Sequence, residues 1–143
     1  MRHGRILTIV VCGALSLAAF ADTAPEDAAD YRKSVMTSLR GHIGAVSMVV
    51  RGLVEDRGHL VDHARGLANG AREMSHLVEG SDALPVIWEE PEAFAAAIEK
   101  SQQATAAFVE VVEGGDMEEI GAAFREVGMS CRGCHDRYRV SRD

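Results

Sequence analysis

The sequence predicts an all-α fold, an antiparallel up-down four-helix bundle, on three observations. No segment alternates apolar and polar residues with the period of two that a half-buried strand requires. The three prolines fall at positions 25, 85 and 91, leaving long stretches that a helix can run through unbroken. Within those stretches apolar residues recur at steps of three and four, the spacing that lines one face of a helix.

The first 21 residues stand outside this pattern. Arg2 and Arg5 make a basic start, Ile6 to Ala18 an apolar run, and Ala19-Phe20-Ala21 a small-x-small cleavage site, so residues 1–21 are expected to be a signal peptide removed on export to the periplasm. The apolar run, at about a dozen residues, falls short of the ~20 that cross a bilayer, and no stable membrane insertion is expected. Cys12 lies inside the run, behind Val11 rather than the small residue a lipoprotein site wants, and should leave with it. The remaining residues, 22–143, suit a single domain. They keep all the acidic residues and lose two basic ones, for a net charge of about −9. That charge excludes a basic nucleic-acid footprint and suits a soluble protein with a positively charged docking partner.

The first predicted helix, 26–51, carries Ala28, Arg32, Val35, Leu39, His42, Val46 and Val49 on one seam and stops at Gly52. An unpaired buried guanidinium is costly, so Arg32 is expected to meet an anionic group at the bundle edge. The second, 56–79, repeats the rhythm with Leu60, Ala64, Leu67, Ala71, Met74 and Val78 before Gly80-Ser81-Asp82. A connection holding Pro85 and Trp88 leads to the third, 91–113, with Phe94, Ile98, Ser101, Thr105, Phe108 and Val112, closed by Gly114-Gly115. Asp116 and Glu119 then form a capping-box pattern opening the fourth, 116–140. Its seam is Met117, Ile120, Phe124, Val127, Cys131, Cys134 and Tyr138. At 1.5 Å per residue each helix is roughly 35 Å long, and rods of equal length joined mainly by short loops pack antiparallel.

Cys131-Arg132-Gly133-Cys134-His135 is the C-x-x-C-H pattern of covalent haem attachment. On a helix, residues 131, 134 and 135 share a face, so two thioether bonds can hold the porphyrin edge while the His135 imidazole reaches the iron. One covalent haem c, with His135 as its proximal iron ligand, is the expected cofactor. A structural zinc site would need a fourth ligand such as His63 and has no second cysteine pair. A thioredoxin-type dithiol wants a βαβ setting, and a disulfide within a helix fits disulfide geometry poorly and leaves His135 without a role.

A C-x-x-C-H near the end of the last of four helices resembles the class II cytochromes c, the cytochrome c′ group and its low-spin c-556 type relatives. The resemblance spans nearly all of 24–143 and includes Tyr31-Arg32-Lys33-Ser34-Val35-Met36, Gly41-His42-Ile43-Gly44-Ala45 and Leu84-Pro85-Val86-Ile87-Trp88. Cytochrome c′ is itself a standard example of the up-down bundle. The resemblance implies that Arg32 lies near the haem propionates, which would supply its anionic partner, and that Met36, one turn or about 5.4 Å further on, faces the iron from the side opposite His135.

Two functions then diverge at Met36. If its sulfur ligates the iron, the site is six-coordinate His/Met, which raises the reduction potential and suits electron transfer with redox partner proteins. The first-helix sequence looks more like these low-spin relatives, so a periplasmic electron carrier is the leading expectation. If Met36 only packs over the iron, as seam methionines usually pack, the iron is five-coordinate and open to nitric oxide or carbon monoxide, as in cytochromes c′. Arg139 matches a basic residue beside the proximal imidazole in the family; read on its own it is an exposed charge near a helix end. Trp88 is expected near the haem or closing the connection between the second and third helices, with core packing favoured. His42, His59, His63 and His76 read as surface or hydrogen-bonded histidines, with His63 a reserve distal ligand. The family also forms helix-face homodimers. No acid–base pair argues for turnover, so no enzyme is expected.

Overall fold

A computed structural model describes residues 23–75 and 84–139. The expected signal peptide, His76, Val78 and the end of the predicted fourth helix at residue 140 lie outside these residues. α1 runs Pro25–Val50 with its proline in the first turn, where the missing N–H costs no bond. It ends in a Schellman motif: Gly52 takes φ of 68°, its N–H reaches the Val49 carbonyl at 2.9 Å, and the Leu53 N–H reaches Met48 at 2.9 Å.

α2 spans Leu60–Arg72 and closes with a 3-10 turn at Glu73–Ser75, so it starts four residues later than the sequence predicts. The cause is local. The Asp56 carboxylate accepts the His59 backbone N–H at 3.3 Å and bonds the His59 ring at 2.9 Å, which holds 56–59 as a turn rather than a helix. The connection contains a one-turn helix, α3, at Val86–Glu89. A single turn has one inward position and Ile87 fills it, leaving Trp88 36% exposed and outside the protein core.

α4 covers Pro91–Gly114 and α5 Met117–Tyr138. The capping box that opens α5 is complete: the Asp116 carboxylate accepts the Glu118 and Glu119 N–H groups at 2.9 Å, while the Glu119 carboxylate accepts the Asp116 N–H at 3.0 Å. Every described element is helical, and the four long helices form the all-α bundle. α4 packs against both α2 and α5, and α1 packs on α2.

Two glycines on α2 bring α1 close. A Cβ on Gly66 would lie 2.4 Å from Nε2 of His42, and one on Gly70 would lie 2.6 Å from Cδ2 of Leu39. These positions, one turn apart, form a groove into which α1 seats two side chains.

The bundle is filled unequally along its length. Val46, Leu60, Ala64, Leu67, Phe108, Ile120 and Val127 form one buried cluster where the C-terminal part of α1 meets the start of α2, the end of α4 and the start of α5. Large members of such a cluster contribute about 1.5–3 kcal/mol each. Further along, the buried positions are mostly small or polar: Ala28 and Ala29 on α1, Ala71 on α2, Ser101 on α4 and Ser130 on α5.

Candidate functional site

α1 and α5 carry the expected site residues. These helices approach each other over a short stretch only. That stretch includes Gly121, where a Cβ would lie 3.6 Å from Cγ1 of Val50, so the end of α1 meets the start of α5 and the two run antiparallel. Met36 lies fourteen residues back from Val50 and His135 fourteen residues on from Gly121. At 1.5 Å per residue both stand about 21 Å from the close approach, at the same height in the bundle. Arg32 is one turn further along α1, and Arg139 is the first residue past the end of α5. The sparse α1–α5 contact and the small buried residues above mark the same half of the molecule. Cys131, Cys134, His135, Met36 and Arg32 are each half-buried there.

The electrostatics suit a neutral imidazole. Burial lowers the pKa of His135, helped by the charge of Arg139 and opposed by Asp136. A neutral ring is the form that ligates a metal. Burial pushes the Cys134 thiol up, and Cys131 beside it pushes the same way. Both cysteines are free, so both sulfurs are available to form thioethers, whereas zinc would hold them as thiolates. Among the described residues no three His, Cys, Asp or Glu side chains converge as a metal cluster, so the zinc alternative lacks its geometry.

The end of α5 is fastened to α4. Arg137 pairs with Glu90, and the Tyr138 ring meets Phe94 edge-on with centroids 4.9 Å apart. Ser130 donates to the Val127 carbonyl at 2.8 Å and lies 3.4 Å from the Ser101 hydroxyl. The Tyr138 hydroxyl is buried with no hydrogen-bond partner among the described residues, an orphan polar atom three residues past His135. Such an atom is normally paired, and it fits a half of the core that a polar-edged cofactor completes. The donor set, the small residues and this orphan hydroxyl all fit a haem.

The comparisons agree with this geometry. The family described as Cytochrome C′ matches residues 27–139. The chain belongs to the cytochrome c′ family. Cytochrome c′ of Alcaligenes xylosoxydans xylosoxydans is 34% identical over 125 residues, covering 80% of this chain and 94% of that protein. A nitric oxide complex of a cytochrome c′ variant from Alcaligenes xylosoxidans superposes with a TM-score of 0.78 at 30% identity, covering 84% of this chain and 98% of that one. A carbon monoxide-bound variant from the same organism gives 0.77 at 30% identity, with coverage of 83% and 98%. Haem c is the cofactor of cytochromes c′ and of this chain.

Two features escaped the sequence reading. His63 pairs with His42, its Nδ1 lying 3.1 Å from Nδ1 of His42 across the α1–α2 interface. The Gly66 and Gly70 groove was equally hidden, although their four-residue spacing was visible in the sequence.

Proposed function

We propose that this chain is a periplasmic haem protein that binds a diatomic gas, nitric oxide or carbon monoxide, on the Met36 side of its haem. The observation that carries this reading is the placement of Met36 and His135 at one height on antiparallel helices, in the half of the bundle lined by small residues. A haem held by these residues would supply an iron able to bind such a gas.

Cys131 and Cys134 would anchor the porphyrin through thioethers, and α5 holds both sulfurs and His135 on one face. His135, kept neutral by burial, would be the proximal ligand. Arg139 beside it would hold that neutrality. Arg32 would pair with the propionates. Met36 would pack over the distal face as a flexible wall that a small ligand displaces.

The nitric oxide and carbon monoxide complexes of similar proteins favour this reading over the His/Met electron carrier expected from the first-helix sequence. The export signal expected in residues 1–21 accounts for the location. No helix among the described residues is long and apolar enough to cross a membrane.

Carbon monoxide titration of the reduced haem-loaded protein tests the reading. Saturable binding is expected, with Met36→Ala raising affinity about tenfold, or about 1.4 kcal/mol. A reduced protein that ignores carbon monoxide until Met36 is replaced would show that Met36 is an iron ligand and restore the electron carrier.

A further inference from the structure

His42 and His63 join α1 to α2 outside the haem site. His42 stands six residues, or about 9 Å, along α1 from Met36. We propose that this histidine pair is a pH-sensitive clasp. It holds the middle of α1 on α2 while at most one added proton sits on the two rings, and a second proton opens it and loosens the half of α1 that carries Arg32 and Met36.

The geometry fixes how many protons the pair can hold. The Nδ1 atoms are 3.1 Å apart and the ring centroids 5.4 Å, so the two separations differ only by the radii of the rings and both nitrogens lie on the line between them. This head-on contact has room for one hydrogen. In the neutral pair one Nδ1–H donates to the bare Nδ1 of the other ring. The first added proton goes to the bare Nε2 of the donor ring and strengthens the bond by its charge. The second has only the acceptor Nδ1 to bind, which would leave roughly 1.1 Å between two hydrogens and set two like charges against each other. The rings must then part.

His42 has no room to retreat. Its Nε2, Cε1 and Cδ2 atoms lie 2.4, 2.6 and 2.8 Å from where a Cβ on Gly66 would stand, so the ring rests on the α2 backbone. One turn earlier Leu39 sits in the same way against Gly70. Parting the rings lifts α1 from this groove or sends His63 into water, and either way α1 loses its bond to α2 there. α1 meets α5 over a short stretch near Val50, so toward Met36 its seat on α2 carries it, with an exposed bond from Tyr31 to Glu73 at 2.8 Å beyond.

The charged groups around the pair are already engaged or stand away from it. In the turn before α2, Asp56 is the carboxylate that the charge of His63 reaches, and it is bonded to the His59 ring at 2.9 Å. On α2 and α4, Arg65 and Glu113 pair with each other at 2.7 Å. Arg40 on α1 is exposed, and Arg125 on α5 lies beside Gly121 at the close approach of α1 and α5.

Burial, and then His63, holds His42 below the ordinary imidazole range. A group so lowered contributes stability that is complete above that range and is lost as pH falls through the lowered value. The Asp56–His59 turn runs the other way, because its bond raises His59 and tightens as pH falls through the imidazole range. The two effects are separable by sign.

The test is amide hydrogen exchange of the haem-loaded protein, corrected for the intrinsic rate, at about pH 7.5 and about pH 5, either side of the imidazole range. Protection of the α1 amides from Met36 to Val46, taken relative to the α4 amides, should fall about tenfold in acid, the factor by which two charges this close, partly solvated, weaken binding of the second proton. His63→Gln, whose side-chain oxygen accepts from Nδ1–H of a neutral or a charged His42, should keep the protection and abolish the fall. His42→Gln should do the same, and His59→Gln should leave the fall in place. Helical circular dichroism at neutral pH checks the fold of each variant. A fall of the same size in both glutamine variants of the pair, its disappearance in His59→Gln, or wild-type α1 protection that does not change with pH relative to α4 would overturn the proposal. None of these outcomes depends on which ligand the haem binds.

Discussion

Cys131, Cys134 and His135 were legible in the sequence because their relation is local. Spacings of three and four place them on one helix face whatever surrounds them. His42 and His63 are 21 residues apart on different helices, and no pattern within either segment shows that their rings meet. Buried side chains show the same contrast in energy. Phe108 was assigned to its seam by periodicity alone and is fully buried. Phe108→Ala is expected to cost about 3–5 kcal/mol in urea unfolding, because it leaves a cavity in the packed half of the bundle. Tyr138→Phe removes a hydroxyl with no partner among the described residues, so in the haem-free chain it should be neutral or stabilising.

The helices began and ended where their caps act. Gly52, Gly115 and the Asp116–Glu119 box were visible as stop and start signals, and α1, α4 and α5 match their predicted spans to within two residues at each described end. Asp116→Ala should destabilise the protein by about 1 kcal/mol, read from the same unfolding curves. Gly70→Ala should cost about 1–3 kcal/mol, since its Cβ would drive Leu39 out of the α2 groove.

The late start of α2 was not legible. Glu55, Asp56 and Arg57 continue an acceptable helical composition, and only the Asp56 side chain, folded onto His59, makes them a turn. That turn is sensitive to pH. His59 has a raised pKa, chiefly through its hydrogen bond to Asp56, so its contribution is complete below the ordinary imidazole range and fades as pH rises through the raised value. Asp56 has a lowered pKa, chiefly through the same bond, so its contribution is present above the ordinary carboxylate range and fades as pH falls. Opening of the first turn of α2, followed by amide hydrogen exchange corrected for the intrinsic rate, should be least favourable in weakly acidic solution between these limits, and Asp56→Asn should flatten that dependence.

At the scale of the molecule, seam periodicity was enough for an antiparallel bundle of four long helices. It could not show that the main cluster of large side chains lies at one end, while at the other alanine and serine share the core with Ile98 and Tyr138. Ala28, Ala29, Ala71, Ser101 and Ser130 are unremarkable in their own helices and become a lining only when four helices stack them in the same half. The divergence of α1 from α5 beyond Val50 and Gly121 has the same origin, and Met36 and His135 lie at one height on those two helices. Whether Met36 bonds to the iron or only covers it decides between a gas-binding protein and an electron carrier. Electron paramagnetic resonance of the oxidised haem-loaded protein at neutral pH tests that point most directly. A high-spin ferric signal that persists in Met36→Ala is expected, and a low-spin signal that turns high-spin in Met36→Ala would contradict the account.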